Sequence, residues 1–558
     1  MASTDRLVRS LSRGLPAHRP GVGRASRASR WRIRAIATLL ALPAILAALI
    51  LPAPVAGAQG SFTPQPVKAG GSMTILEVQG LDGSWPTGLD PATSLTPASN
   101  MDEMNSIYGS LFELAGKNGT NIPDLATGYK ISKDGKTVDI FIRHGVKFSD
   151  GSPFNAAAVV YNWTRDFAMK ANDDPSWPIT TTNPFTTKGP YTAEIHLTVP
   201  YTPLISTIHI HDVNWIVSPT SLKRMGEAAY KLAPVGAGPF VVVKDTPPTE
   251  LQLKKSPTYW QKGLPELDSL TFKAVSSDNS ALDAMQAGEA QAYIDLTNHQ
   301  LVKTFQSSFK VTPEESADPL DVQFNTTHPP FNNKIAREAV AYATDSATLN
   351  KEIYGGSTPL VQGITGPGGL FYQQKVPGFR SYNLAKAKAL VKQMGGLSFS
   401  LLGSANGVGL AESEALQTMW KAAGMNVKLT LSPDLASRIA SFRQNSWQIS
   451  NGGDGSWDPA GGVGVWFFFL SDSLYTGVHD PKLDALINKA TEVNQDERGA
   501  VYQQVSKYIS DQEYAVQMFT APLFNAATKN IYAPCLTTTC PTIETVPEVL
   551  WQYAGYTK

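Results

Sequence analysis

Two periods organise the apolar positions of this chain. Val138, Ile140 and Ile142 recur at every second residue in YKISKDGKTVDIFIR (Tyr129–Arg143), the spacing that lines one face of a strand. Asp134-Gly135 supplies a turn inside that stretch, so it predicts a hairpin. MTILEVQ (Met73–Gln79) predicts another strand. A helical period runs through Asn100–Glu113, where Met101, Met104, Ile107, Tyr108, Leu111 and Phe112 make one stripe. Asn100 and Glu103 stand at capping-pair spacing. After the Asp150-Gly151 turn, Val159, Val160, Trp163 and Phe167 mark a second helix, and Ser280–Ala287 a short third one stopped by Gly288.

The second half alternates between the two periods. Phe399–Leu402 reads as a strand. Ala411–Ala423 reads as a helix ended by Gly424, and Met425, Val427, Leu429 and Leu431 as the next strand. A strand–helix–strand unit argues for α/β architecture. Asn383–Met394 predicts a helix with Asn383 as its N-cap. Pro481–Ala490 and Asp496–Asp511 predict two more.

Length and composition narrow the class. A chain of 558 residues exceeds what one hydrophobic core usually serves. At 42% hydrophobic and 17% charged it is globular. Its N-terminus reads as a secretory signal peptide. Residues 1–34 hold nine Arg and one Asp, the apolar run Ala35–Leu51 follows, and Ala56-Gly57-Ala58 makes a small-x-small site. Cleavage is expected after Ala58, with an uncleaved anchor as the alternative. No Cys stands near residue 58 to take a lipid. The 47 basic and 47 acidic residues become 38 and 46 once nine Arg and one Asp are removed, a net −8. An acidic mature chain gives no sign of nucleic-acid binding. The only cysteines, Cys535 and Cys540 in PCLTTTCP, suggest a local disulfide in an exported protein, with two free thiols as the alternative.

Catalytic and metal signatures are weak. G-x-S-x-G and H-E-x-x-H are absent. Gly135-Lys136-Thr137 is the only G-K-[ST], and Lys130 stands where a phosphate loop needs its first Gly. The chain is therefore expected not to be an enzyme and not to hydrolyse ATP. His209 and His211 in IHIHD would share a face of a strand, yet no third ligand can be named. No metal and no cofactor are expected.

Several stretches, in order, resemble the extracytoplasmic solute-binding proteins of peptide-type ABC importers, the dipeptide/oligopeptide/nickel-binding family. They are GLDPATS (Gly88–Ser94), IYGSLFE (Ile107–Glu113), PDLATGYKISKDGKTVDIFIRHGVKFSDGSPFNAAAVVYNW (Pro123–Trp163), GAGPFVV (Gly236–Val242) and SPTYWQKGLPELDSLTF (Ser256–Phe272). VQFNTTHPPFNNKIAREAVAYATD (Val322–Asp345), YNLAKAKALVKQMGG (Tyr382–Gly396) and LYTGVHDPKLDALINKA (Leu474–Ala490) continue the series. The resemblance implies an α/β, two-lobed periplasmic-binding-protein clamshell of type II, of the large kind with an extra subdomain, joined by two hinge strands. The expected division is signal peptide 1–58, linker 59–71, lobe one 72–316, lobe two 317–508, and a return to lobe one with the tail in 509–558. The hinges would lie near Leu320–Thr327 and Tyr514–Pro522. The implied partners are a peptide or small-molecule ligand and the membrane permease with its separate ATPase subunits, with the binding protein itself a monomer.

Candidate ligand contacts centre on GGDGSWDPAGGVGVWFFF (Gly452–Phe469). The family often places a carboxylate three residues before an Asp-Pro, where peptide binders meet the ligand's α-amino group. Asp458-Pro459 matches the Asp-Pro, but the position three before it is Gly455. Asp454 is one residue earlier and would serve only if the loop shifts. Gly455 opens space for a bulkier ligand or for backbone amides. Trp457 and Trp466 are candidate walls, with packing into lobe two as the alternative for both. Phe467–Phe469 are expected in the core. Asp150-Gly151 is expected to act as a turn, Trp163 and Trp260 as core aromatics. Arg337 is expected in a solvent-facing or structural salt bridge, with a carboxylate clamp as the alternative.

Overall fold

A computed structural model describes residues 64–78, 89–93, 100–115, 121–169, 177–208, 211–313, 317–356, 358–453, 457–461, 464–471, 473, 477–520, 523–538 and 549–557. The chain divides into two compact units, Met1–Ala56 and Gly57–Lys558, and every described residue lies in the second. The expected signal peptide and its cleavage site, His209, Asp454, Gly455 and Cys540 fall outside the described residues.

Three sheets carry the fold. Seven strands run in the order Lys310–Pro313, Phe524–Ala527, Ala292–Leu296, Ser72–Val78, Ser269–Val275, Glu250–Lys255, Phe240–Thr246. Ser72–Val78 is parallel to both its neighbours, and Ile75 stands opposite Phe272 and Ala292, all three buried. Four antiparallel strands, in the order Ala126–Ile131, Thr137–Ile142, Thr192–His196, Phe185–Thr187, form a subdomain. The helix Ala156–Met169 covers it, with Val138, Ile140, Val159, Trp163 and Ile195 in one core. Both sheets are built mainly from the residues expected to form lobe one, with Phe524–Ala527 returning from the expected tail. In lobe two the order is Asn426–Ser432, Ser398–Ser404, Ile449–Gly453, Pro319–Phe324, Ala515–Thr520.

The predicted hairpin and strand–helix–strand unit form as expected, the latter as parallel strands flanking the helix Gly407–Ala422. Asn383 caps the helix Leu384–Gln393 by accepting from the Lys386 amide at 3.0 Å. Two expectations fail. The helix Met101–Tyr108 stops where Gly109 turns to φ 63°, so Phe112 and Glu113 enter a strand, and the Asn100 side chain caps nothing. In IHIHD the described residues are not in a strand, because Ile208 ends the helix Leu204–Ile208 and Asp212 opens a 3-10 turn, while His209 and Ile210 lie outside the described residues.

The strands Pro319–Phe324 and Ala515–Thr520, in the stretches where the two crossings between lobes were expected, pair antiparallel with each other. A loop that the hydrophobic pattern gave no reason to single out, Gly363–Leu370, braces both. The Gly366 amide donates to the Ala317 carbonyl at 2.6 Å. A Cβ at Gly366 would stand 2.3 Å from Thr520 Cγ2 and 3.0 Å from that carbonyl. Arg337 fixes the return crossing, and it is neither solvent-facing nor in a salt bridge. It is buried and donates to the carbonyls of Phe331 (2.6 Å), Gln512 (2.7 Å) and Glu513 (2.9 Å). Glu513 takes φ 54° between the helix Gln495–Gln512 and the strand, so Arg337 satisfies the carbonyls left over where that helix ends. No helix among the described residues is long and apolar enough to cross a membrane.

Lobe one buries an acidic cluster. Glu77, at the end of the central strand, lies with Glu103 and Asp102 of the helix Met101–Tyr108. Burial pushes the Glu77 carboxyl well above the ordinary range, and Glu103, Asp295 and Asp102 push it the same way. Asp102 is also raised by burial, although it accepts from the Val549 amide (3.0 Å) and Trp551 Nε1 (2.8 Å).

Two outcomes are expected. Unfolded Glu77 titrates near pH 4.3, so at pH values between there and its raised folded value the folded state holds an extra proton. Stability therefore falls as pH rises through that window. Glu77→Gln keeps a donor for Glu103 and removes the titration, so urea unfolding at pH 5 and pH 8 should show a smaller loss than in the parent; an unchanged slope refutes the assignment. Arg337→Ala leaves three buried carbonyls without their donor and should cost roughly 3 kcal/mol in the same assay, whereas a loss below about 0.5 kcal/mol, the level of ordinary surface changes, would refute the pinning role.

Candidate ligand-binding site

The strand Ile449–Gly453 sits between a parallel neighbour, Ser398–Ser404, and an antiparallel one, Pro319–Phe324. Its first three residues are buried, so its carboxyl end is rigidly held. Ligands in open α/β sheets lie beyond the carboxyl ends of the strands. The glycine-rich stretch leaves the sheet at that end.

Trp457 is 1% exposed and packs against Ala317 and Leu370, and its carbonyl accepts from the Leu370 amide at 2.7 Å. It thus links the loop to the first crossing and to the brace. Asp458 is 2% exposed and fully engaged. Oδ1 accepts from Arg498 Nη2 at 2.5 Å and the Ala460 amide at 3.0 Å, and Oδ2 from Arg498 Nη1 and Ser206 Oγ, each at 2.9 Å. Burial acts to raise its pKa, but Arg498 and the other donors outweigh it and hold the carboxyl below the ordinary range. Asp458 is therefore a structural anion with no oxygen left over for a solute.

Glycine serves compactness in the rest of the stretch. The Gly461 amide donates to the Asp458 carbonyl and the Gly464 amide to the Gly461 carbonyl, both at 2.7 Å. A Cβ at Gly464 would lie 2.2 Å from the Pro459 oxygen. Trp466 then opens the helix Val465–Phe469 and is buried in lobe two with Phe442, Trp447, Phe468 and Phe469. That is the packing alternative, not the wall.

Three residues outside the sequence reading shape the site. Arg498 donates to Asp458 and to the Ala490 carbonyl at 3.1 Å. Its guanidinium lies 5.2 Å from the Phe371 ring and 5.5 Å from that of Tyr502. Arg438 donates to Ser450 Oγ at 2.8 Å and to the Asn451 carbonyl, and a Cβ at Gly452 would sit 3.0 Å from it. Asn451 in turn donates to buried Glu412 at 3.2 Å. Ser206 belongs to lobe one, 252 residues from Asp458, and no local pattern marks it. Close by, the Thr202 amide donates to the Thr491 carbonyl (2.8 Å) and its hydroxyl to that of Val493 (2.7 Å). The two lobes touch here.

Other expectations resolve as follows. Asp150 accepts from the hydroxyls of Ser152, Ser218 and Ser221 and from the Ser152 amide. Although burial opposes them, these bonds take its pKa down to about 2, and Gly151 at φ 84° completes the turn. Trp163 is in the core and donates to the Val213 carbonyl at 2.9 Å, while Trp260 is partly buried under Arg143. Cys535 is buried and disulfide-bonded.

The chain is similar to known proteins over most of its length. The family model of bacterial extracellular solute-binding proteins, family 5, matches residues 120–475. The glutathione-binding protein GsiB of Salmonella typhimurium is 32% identical over 288 residues, 50% of this chain and 55% of that one. The chain thus spans about half the length of the curated relatives it matches. Among solved structures, the periplasmic binding protein DppA of Helicobacter pylori, in complex with the peptide STSA, superposes with a TM-score of 0.76 at 20% identity, covering 88% of this chain and 99% of that one. The binding protein AgaA of A. tumefaciens R10, in complex with agropinic acid, gives a TM-score of 0.72 at 22% identity, covering 87% and 97%. These likenesses carry the fold, a two-lobed type II clamshell, and with the family match they show that this chain belongs to the bacterial extracellular solute-binding proteins of family 5.

Proposed function

We propose that this chain is the exported solute-binding component of an ABC importer. It captures a peptide or similar small solute between its lobes and delivers it to a membrane permease driven by separate ATPase subunits. It acts as a monomer, by closure and without bond chemistry. The observation that carries this reading is that the stretch leaving the carboxyl end of Ile449–Gly453 is met at Asp458, and the nearby helix end at Thr491 and Val493, by Ser206 and Thr202. Two hinge strands allow such a closure, and a solute held by both lobes favours the closed form. The peptide and glutathione binders among its relatives support the solute class.

A second reading keeps the importer role and changes the ligand to an opine-like compound, an oligosaccharide or a nickel chelate. Gly455 in place of a carboxylate favours it, as does the engagement of Asp458 by Arg498 and Ser206. Amine recognition would then rest on Asp454, with Trp457 beside it. A secreted hydrolase on this fold has no supporting constellation. Residues 1–58 would be removed on export, after Ala58, and Cys535 would pair with Cys540, the only other cysteine.

Native mass spectrometry of protein purified from its own source should reveal a ladder of co-purified peptides. A single defined small molecule would replace the peptide part of the reading with the second one. Tryptophan fluorescence titrated with glutathione or a short peptide should change saturably and reversibly, with the solute recovered unmodified; a consumed solute would overturn the binding role. Asp454→Asn should weaken an amine-bearing ligand by about tenfold, the worth of one charge-assisted hydrogen bond. Unchanged affinity for such a ligand would remove Asp454 from the site.

A further inference from the structure

Resting on the binding-protein reading, we propose that Ser206 is a positioning residue for capture. It is the lobe-one half of a latch that takes hold of the lobe-two ligand loop at Asp458 when the lobes close.

The lobe-two side is one docking face built from two pieces. One piece is Asp458, the residue after Trp457. The other is the end of the helix Pro481–Glu492, where the Thr491 and Val493 carbonyls lie at the helix terminus, the place where backbone acceptors run out of helical partners. Arg498 joins the pieces, because one guanidinium binds both Asp458 and the Ala490 carbonyl. The lobe-one side is the short helix Leu204–Ile208 and the turn before it. Thr202 supplies an amide and a hydroxyl to the helix end, and Ser206 supplies a hydroxyl to Asp458.

The Ser206 hydroxyl has a second acceptor, the Pro203 carbonyl of its own turn, at 2.8 Å against 2.9 Å to Asp458 Oδ2. A hydroxyl has one proton, so the two bonds are alternatives. With the lobes together the anionic oxygen is the stronger acceptor. With the lobes apart the Ser206 proton returns to Pro203, and the Thr202 amide and hydroxyl exchange the Thr491 and Val493 carbonyls for water. Asp458 keeps its three other donors in either state. Release is therefore cheap, as a reversible catch requires. Because Trp457 and Asp458 are consecutive, the latch also sets where the loop stands relative to a solute in the cleft.

The test is a distance measurement on the mature chain. Spin labels are placed at Lys133→Cys, in the lobe-one turn beside Gly135 and Pro200, and at Lys489→Cys on the latch helix; both sites are exposed. Double electron–electron resonance is recorded without added solute. The parent should show a short-distance population. Ser206→Ala and Thr202→Val should each shift it to longer distance, changing the closed-to-open ratio by about tenfold, and Ser206→Thr should restore it. Matching melting curves for all variants separate this from loss of folding. Distance distributions for Ser206→Ala and Thr202→Val that coincide with the parent would overturn the latch, as would a parent with no short-distance population. Since the comparison needs no solute, its outcome is independent of whether glutathione, titrated separately, binds.

Discussion

The buried pair of Arg498 and Asp458 is the contact on which the cleft side of this protein depends. Both side chains are almost wholly removed from water, and desolvating two charges costs several kcal/mol each. That cost is met by geometry. The carboxylate accepts four donors, and the guanidinium divides its donors among Asp458, the Ala490 carbonyl and Gln495. Stacked Phe371 and Tyr502 rings lie beside it. A hydrophobic pair of equal volume would cost less, so the gain is one of position. An ion pair of this kind fixes a loop and a helix terminus in one register, which apolar packing does not.

The hinge side uses backbone carbonyls in the corresponding role. Arg337 collects two of them where the helix Gln495–Gln512 ends, at Gln512 and Glu513, and a third at Phe331, and Gly366 lets a loop lie flush against Ala317 and Thr520. Trp457 connects the two sides, since its indole rests on Ala317 while its chain neighbour is Asp458. Trp457 thus places Asp458 and the strand Pro319–Phe324 in one chain of packed contacts. This coupling is carried by packed, directional contacts with few alternatives, which suits a two-position hinge.

Much of the scaffold was legible because its signals are local. Val138, Ile140 and Ile142 alternate within one strand, and Asn383 caps the helix that begins one residue later. The misreadings are also local in cause. Leu111 and Phe112 continue the helical stripe of Met101 and Met104, but Gly109 at positive φ breaks the helix first. Glu103 stands at capping spacing and is instead buried against Glu77. The site was legible only in outline. Asp458 and Trp457 stood out as unusual residues in an unusual stretch, yet their roles are set by Arg498, Ser206, Ala317 and Leu370, far away in sequence. No periodicity encodes a contact across 252 residues.

These contacts change what the glycine-rich stretch means for recognition. An acidic residue next to Pro459 looks like a ligand anchor until its oxygens are counted, and Asp458 already accepts four hydrogen bonds from the protein. Arg438 brings a guanidinium to the strand end at Gly452, where Ser450 Oγ and the Asn451 carbonyl hold it. Under the proposed latch, Asp458 would act on a solute through the position of the loop and of the facing lobe, without touching the solute itself.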